Sequence, residues 1–314
     1  MTDEPTTTPP RTVQLTVDGT AVSAAEGDRL LDVCRSLGTD VPTLCFGDTL
    51  TPRNACRLCV VELDGNRTLV PSCSRPVEDG QVVHTDSDRV RHSRKLVLEL
   101  LGSSVDLSLT EGVAAWNERY GADPGRFGEP AAPAAAGERD RLITGEHPDP
   151  DPDHAATVAQ PPKVDNPLYV RDYGKCILCF KCVDACGEQW QNTFAISAAG
   201  RGFDTRIATE FDVALTDSAC VYCGNCIAVC PTGALLPTAE FDLRAAANWA
   251  PERQHETTTV CPYCGVGCNL TLHVQDNEIF KVSSPSDHSV THGNLCIKGR
   301  FGYVHVQPPR RRTG

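Results

Sequence analysis

Seventeen cysteines punctuate this sequence, and sixteen of them fall into four groups of four. The first group is Cys45, Cys56, Cys59 and Cys73, with 10, 2 and 13 residues between them. The second, Cys176, Cys179, Cys182 and Cys186, has intervals of 2, 2 and 3. The third, Cys220, Cys223, Cys226 and Cys230, repeats those intervals and adds Pro231. The fourth is Cys261, Cys264, Cys268 and Cys296, with intervals of 2, 3 and 27. Thiolates are soft donors suited to zinc or to iron–sulfur clusters, and spacing separates the two. Structural zinc takes four ligands in two short hooks, so a run of four cysteines leaves each hook with two ligands too many. A C-x2-C-x2-C loop instead curls around one face of a cubane, its thiolates on three irons and its amides toward the sulfides. The fourth cysteine, expected at the start of a helix, is aimed away and ligates the other cluster. The spacing therefore pairs Cys176, Cys179, Cys182 and Cys230 on one cubane, and Cys220, Cys223, Cys226 and Cys186 on the other. A hook plus distant cysteines is less diagnostic, and for the first and fourth groups spacing alone leaves zinc open beside a cluster.

Loops that aim thiols need rigid elements behind them, and the composition points to small modules. Only 6% of the 314 residues are aromatic, which argues against one large core. After a polar, Pro/Thr-rich tail over residues 1–11, VQLTVDGTAV alternates as a strand, turns at Asp18-Gly19 and alternates again, the pattern of a hairpin. From Arg29 to Leu37 apolar residues recur at helical spacing, closed by Gly38. Further strands are expected at Leu58–Leu63, Thr68–Pro71 and Val82–His84, and a helix at Arg89–Leu101. Strand pairs with one crossing helix make a small α+β unit over residues 12–120. Residues 121–165 collapse into Pro, Ala, Gly and Asp and read as a mobile linker. Two further Cys-rich blocks occupy 166–243 and 257–314. Cys34 falls on the apolar face of the expected helix and reads as buried packing rather than as a ligand.

Charge and compartment narrow the function. The net charge of −12 argues against a nucleic-acid binder and reads as a solvated acidic surface. The start, MTDEPTTTPPR, lacks a basic n-region, an apolar h-region and a twin arginine, so a cytoplasmic location is expected. Stretches such as LVLELL are far short of a membrane span. In a reducing compartment the thiols ligate metal rather than pair as disulfides. The nine histidines show no paired metal spacing.

The motifs resemble a known family. CFGDTLTPRNACRLCVVEL followed by VPSC resembles the N-terminal β-grasp [2Fe–2S] ferredoxin domain of three kinds of protein. These are the large peripheral subunit of NADH:quinone oxidoreductase, iron-only hydrogenases and formate dehydrogenase alpha subunits. KCILCFKCVDACGEQW, a downstream RGF and CVYCGNCIAVCPTGAL look like the two-[4Fe–4S] bacterial-type ferredoxin module of the same proteins. CPYCGVGCNLTLHV followed by LCIKGRFGY is similar to the small [4Fe–4S] cap domain of molybdopterin oxidoreductases, best of all those of formate dehydrogenases. The resemblance implies one [2Fe–2S] and three [4Fe–4S] clusters on the sixteen grouped cysteines. It implies for Lys298 a place between the last cubane and a pterin, where a cation would aid electron passage. Arg201 and Gly202 in RGF either support the cubane loops or form a plain turn.

Two departures matter. Relatives carry a further cluster held by one histidine and three cysteines, whereas the corresponding GSSVDLSLTEG has neither residue type, so that cluster is expected to be absent. The family's molybdenum or tungsten site, held by two pterins, needs several hundred residues beyond the cap. The chain is therefore expected to be either a natural electron-transfer subunit or a truncation. The reading that follows is the electron-transfer subunit of a cytoplasmic molybdopterin-dependent formate dehydrogenase. Its partner would be a molybdopterin-containing catalytic chain, and its acceptor a diaphorase, a ferredoxin or a quinone-linked module. The alternative is an iron–sulfur adaptor within an NADH dehydrogenase or hydrogenase assembly. A regulatory redox sensor lacks support, since no DNA-binding or effector element is evident.

Overall fold

A computed structural model describes residues 11–128, 162–202 and 205–307. All but residue 11 of the expected tail over 1–11 and most of the expected linker over 121–165 lie outside the described residues, as does Phe203 of RGF. The chain divides into two compact units. One takes in residues up to 46, 54–100 and 112–124; the other takes in 47–53, 101–111 and 125 onward.

In the first unit, β1 (Thr12–Val17) and β2 (Thr20–Ala25) form the hairpin the sequence predicts, with Asp18 and Gly19 both at positive φ. That pair of left-handed residues is the two-residue turn whose twist suits flanking strands. Period-two alternation puts Val13, Leu15 and Val17 on one face, all at most 3% exposed. Against them packs α1 (Leu30–Ser36), which buries Leu30, Leu31, Val33 and Cys34 and gives way to Gly38 at φ 75°. Each such side chain contributes on the order of 1.5–3 kcal/mol when buried. With β3 (Val60–Leu63), β4 (Val70–Pro71) and β5 (Val82–His84) the sheet order is β2-β1-β5-β3-β4, with β5 parallel to β1 and the other pairs antiparallel. A mixed sheet crossed by one helix is the β-grasp arrangement. Two helices, α2 (Asp88–Ser104) and α3 (Val113–Tyr120), follow; α2 runs three residues past its expected end. The Ser87 hydroxyl accepts from Val90 N–H at 3.4 Å and caps the start of α2.

The second unit holds two modules. In one, β6 (Tyr169–Arg171) pairs with β9 (Leu235–Pro237) and β7 (Ser197–Ala199) with β8 (Arg206–Ala208). Between them lie the short helices α4 (Lys181–Cys186) and α5 (Asn225–Val229), and α6 (Thr238–Ala245) follows. Residues 47–53 belong here as well: Arg53 Nε donates to both Asp184 oxygens at 2.9 and 3.1 Å, and Trp190 Nε1 donates to Thr49 O at 3.2 Å. The other module is an antiparallel sheet of β10 (Gln254–Val260), β11 (Asn269–Gln275) and β12 (Glu278–Ser283), closed by α7 (Ile297–Phe301). Asp276 and Asn277, both at positive φ, form its hairpin turn. No described helix is long and apolar enough to cross a membrane.

Candidate metal centres

The two ferredoxin-type runs have the same backbone. Two residues past the first cysteine of each, Leu178 and Tyr222 sit at φ 53° and 55°. Four residues past it, Phe180 and Gly224 sit at φ 63° and 72° and cap α4 and α5. Left-handed residues alternating with ordinary ones turn successive amides inward, making a concavity that favours anions and sulfur clusters. The amides of Leu178 and Tyr222 accordingly reach Cys176 Sγ and Cys220 Sγ at 3.5 and 3.4 Å. Such positions cost a side-chain-bearing residue about 1 kcal/mol or more, a strain that clusters at functional sites.

Cys182 and Cys226 lie in the first turns of α4 and α5, while Cys186 ends α4 and Cys230 caps the C-terminus of α5. The expectation that the fourth cysteines start helices is thus corrected. With three residues between them, the third and fourth cysteines stand four apart, just over one helical turn, so a short helix entered at the third ends at the fourth. Burial pushes the Cys182 thiol up, and the like charges it meets are those of Cys176, Cys179, Cys230 and Cys226. Burial also pushes Cys176 up to about 12, with Cys179 and Cys230 adding to it. Cys226 is raised by burial and then by Cys223, Cys186 and Cys220. Two thiol sets therefore gather across the runs: Cys176, Cys179 and Cys182 with Cys230, and Cys220, Cys223 and Cys226 with Cys186. Ala195 N–H donates to Cys186 Sγ at 3.2 Å, and the Tyr169 hydroxyl lies 3.3 Å from Cys220 Sγ.

Cys45, Cys56, Cys59 and Cys73 gather in the first unit. Asn54 and Arg57 at φ 56° and 59° shape the hook before β3, Cys56 N–H donates to Cys45 Sγ at 3.5 Å, and Ser72 Oγ donates to Cys59 O at 2.8 Å. A hydrogen bond from Cys45 lowers Cys56 to about 6, while that bond and burial raise Cys45. Cys59 and Cys73 repeat this, the first lowered by their hydrogen bond and the second raised. Four thiolates gathered this closely would repel one another. A polycationic core would relieve that repulsion, so the donor set fits an iron–sulfur cluster.

In the cap, Cys261, Cys264 and Cys268 lie in the β10–β11 connection, pinned by Cys261 N–H to Cys268 O at 2.8 Å. Cys296 caps α7, and Cys268 is raised by burial and then by Cys261, Cys264 and Cys296. Cys264 and Cys296 are exposed, as is Lys298. Arg201 and Gly202 lie exposed beyond β7. Among the described residues no three His, Cys, Asp or Glu side chains stand close enough for a single metal ion. A multi-iron core holds its thiolates farther apart than a single ion does.

Sequence reading missed the two buried arginines behind these loops. Arg94 on α2, 0% exposed, donates to Leu58 O at 3.2 Å, Val60 O at 3.0 Å and Tyr120 Oη at 2.8 Å, gripping the backbone on both sides of Cys59. Arg300 on α7 donates from Nε to Cys223 O at 2.9 Å. Burial lowers its guanidinium to about 10, opposed by Cys223, Cys226 and Cys296, so it is ionised at neutral pH. Nothing in composition distinguishes a buried arginine from a surface one.

Residues 10–88 match the 2Fe-2S iron-sulfur cluster binding domain, 175–234 the 4Fe-4S dicluster domain, and 254–308 the molybdopterin oxidoreductase Fe4S4 domain. Three iron–sulfur domains in series, with these thiol groups, define an iron–sulfur electron-transfer protein. The chain is 31% identical over 306 residues to an NADH-quinone oxidoreductase subunit of Rhizobium meliloti, covering 94% of this chain and 32% of that protein. It is 28% identical over 333 residues to a candidate formate dehydrogenase of Staphylococcus haemolyticus, covering 95% and 32%. It belongs to the iron–sulfur family that these oxidoreductases share, and spans about a third of their length (32%). A chain in the crystal structure of an NAD+-reducing [NiFe]-hydrogenase superposes with a TM-score of 0.57 at 23% identity, over 72% of this chain and 88% of that one, a likeness of fold.

Proposed function

We propose that this chain carries one [2Fe–2S] cluster on Cys45, Cys56, Cys59 and Cys73 and three [4Fe–4S] clusters on the other gathered sets. It would serve as the electron-transfer part of a cytoplasmic molybdopterin-dependent formate dehydrogenase. The clusters supply one-electron acceptance and donation. The chain's own residues hold the thiolates in place, exclude water from the inner sets and present the outer set to a partner. One observation carries the formate reading: residues 254–308 match the cap of molybdopterin oxidoreductases, and there Cys264, Cys296 and Lys298 are exposed. Lys298 would stand between the cap cluster and a pterin on the catalytic chain. In the same domain Val260, Val266, Val290, Ile297, Val304 and Val306 are 41–65% exposed. A docking face for a catalytic chain would draw on apolar side chains of this kind. A second reading, an adaptor in an NADH dehydrogenase assembly, is supported by the higher identity to the quinone oxidoreductase subunit, 31% against 28%.

Anaerobically reconstituted protein should hold about 14 iron and about 14 acid-labile sulfide. Zinc at about one per group with little sulfide would sink the reading. Co-purified with its catalytic partner, the protein should be reduced by formate, and Cys264→Ser should block that while dithionite still reduces the remaining clusters. Reduction by NADH but never by formate would decide for the adaptor.

A further inference from the structure

Arg300 is 3% exposed, and every hydrogen-bond partner it has among the described residues is neutral. Its Nε donates to Cys223 O at 2.9 Å, and its terminal nitrogens donate to Val282 O at 3.2 Å and Asn225 Oδ1 at 3.1 Å. Among the described residues no carboxylate stands within ion-pair distance of it. Arg171, 2% exposed, is by contrast paired with Asp165. An unpaired cation in the interior is costly unless charge nearby compensates it. The groups whose charge acts on Arg300 are Cys223, Cys226 and Cys296, which would be thiolates when they hold iron.

The backbone is built to bring the guanidinium there. Gly224 sits at φ 72°, and a Cβ on it would lie 2.2 Å from Arg300 Cδ. The equivalent position in the first run is Phe180, left-handed too but with a full side chain. Only the run that Arg300 crosses uses glycine. Asn225, 2% exposed between Cys223 and Cys226, accepts at one oxygen both the Arg300 guanidinium and the Leu295 N–H, the latter at 3.0 Å. Leu295 directly precedes Cys296. One amide oxygen and one guanidinium thus hold the fourth ligand of the cap set against the hook of the third cysteine group.

We propose that Arg300 is a positioning residue and the shared counter-cation of two clusters, the one on Cys220, Cys223, Cys226 and Cys186 and the one on Cys261, Cys264, Cys268 and Cys296. A fixed positive charge stabilises the reduced, more negative state of each core and so raises both reduction potentials. It also selects the inner cubane that exchanges electrons with the cap: the one bound through the third cysteine group. The inference rests on the cluster assignment above.

The test is an EPR-monitored redox titration of the full reconstituted chain, with the cap signal identified by its loss in Cys264→Ser. In Arg300→Gln, two of the three cubane midpoints should move to more negative values, while the third and the [2Fe–2S] midpoint stay put. Arg300→Lys, which retains the charge and loses the planar fork, should bring the two midpoints back toward wild type. Asn225→Asp sets a carboxylate against Arg300 and should lower the same two midpoints with the arginine retained. This arm decides the matter if Arg300→Gln fails to fold. Full iron and sulfide with unmoved midpoints in Asn225→Asp and in any foldable Arg300→Gln would overturn the role of Arg300 alone. An equal shift in all three cubanes would do the same. Absence of iron and sulfide from the wild-type chain would instead overturn the cluster assignment.

Discussion

Cys34 has 0% exposure in the core that holds Val13, Leu15 and Leu31. Burial, and then the Asp18 carboxylate, raise its thiol to about 11 from 9.0. Because the folded value lies above the unfolded one, the stability this thiol contributes is full below pH 9.0 and is lost as pH climbs toward about 11. The loss is on the order of 2–3 kcal/mol. Urea unfolding at a series of pH values should therefore show a steeper alkaline decline in wild type than in Cys34→Ala. Native Cys34 should also resist alkylation at pH 8 and react only on unfolding. At Gly224 the demand is backbone rather than proton: its left-handed φ and the approach of Arg300 leave no room for a methyl group. Gly224→Ala should cost about 2–4 kcal/mol, read as a fall in denaturation midpoint, through strain and overpacking together. An unchanged midpoint would mean that α7 does not seat on that loop.

Short elements position most of the thiols, and long-range polar contacts hold those elements. Helices α4 and α5 span six and five residues, too few to stand alone in water. Their caps are left-handed, and the hooks before them are fastened by amide-to-sulfur bonds. Helix α2 does a comparable service for the first group through Arg94, whose three donors reach Leu58 O, Val60 O and Tyr120 Oη. Arg94→Met fills the same space but abandons two buried carbonyls and a phenol. It should lower stability by about 3 kcal/mol or more, seen as earlier thermal loss of the [2Fe–2S] visible absorbance than of the cubane absorbance. Simultaneous loss of all absorbance would show that Arg94 serves no particular cluster. In the cap, Tyr263 lies in the hook and its hydroxyl donates to Gly302 O just past α7, with His305 Nδ1 at 2.9 Å. The hook and the helix carrying Cys296 are thereby joined by side chains as well as by sulfur.

At the scale of the whole molecule, the thiols of the two ferredoxin-type runs are better covered than those of the cap. Cys179 and Cys182 are buried and the other six of those runs half-buried, whereas Cys264 and Cys296 are exposed. Strand β10 adds to this face: from His255 to Val260 it is exposed, and it is an edge of its sheet. Exposed edges invite pairing with another chain. Val266→Glu combined with Ile297→Glu should weaken co-purification of a molybdopterin partner by roughly tenfold or more, since desolvated apolar anchors dominate such interfaces. Iron content of the isolated chain should not change. Retained co-purification would move the docking surface elsewhere.

The sequence by itself determined the local pieces. Cysteine spacing defined the four groups, period-two alternation with Asp18-Gly19 defined the first hairpin, and helical spacing before Gly38 defined α1. These are legible because a short stretch of chain suffices to encode them. It also carried the family motifs, which the three matched domains bear out. What only the tertiary structure decided was long-range. It set Cys186 and Cys230, whose exchange between the runs the spacing already implied, at helix C-termini rather than at their starts. It buried Arg94 and Arg300 against carbonyls of the cysteine loops 34 to 77 residues away in sequence. It also gave Gly224 and Phe180, equivalent in the repeat, different side-chain requirements, because Arg300 crosses only one of the two loops. A pattern in the chain specifies which groups lie near in sequence; the charge that meets a thiolate depends on what folding brings from far away.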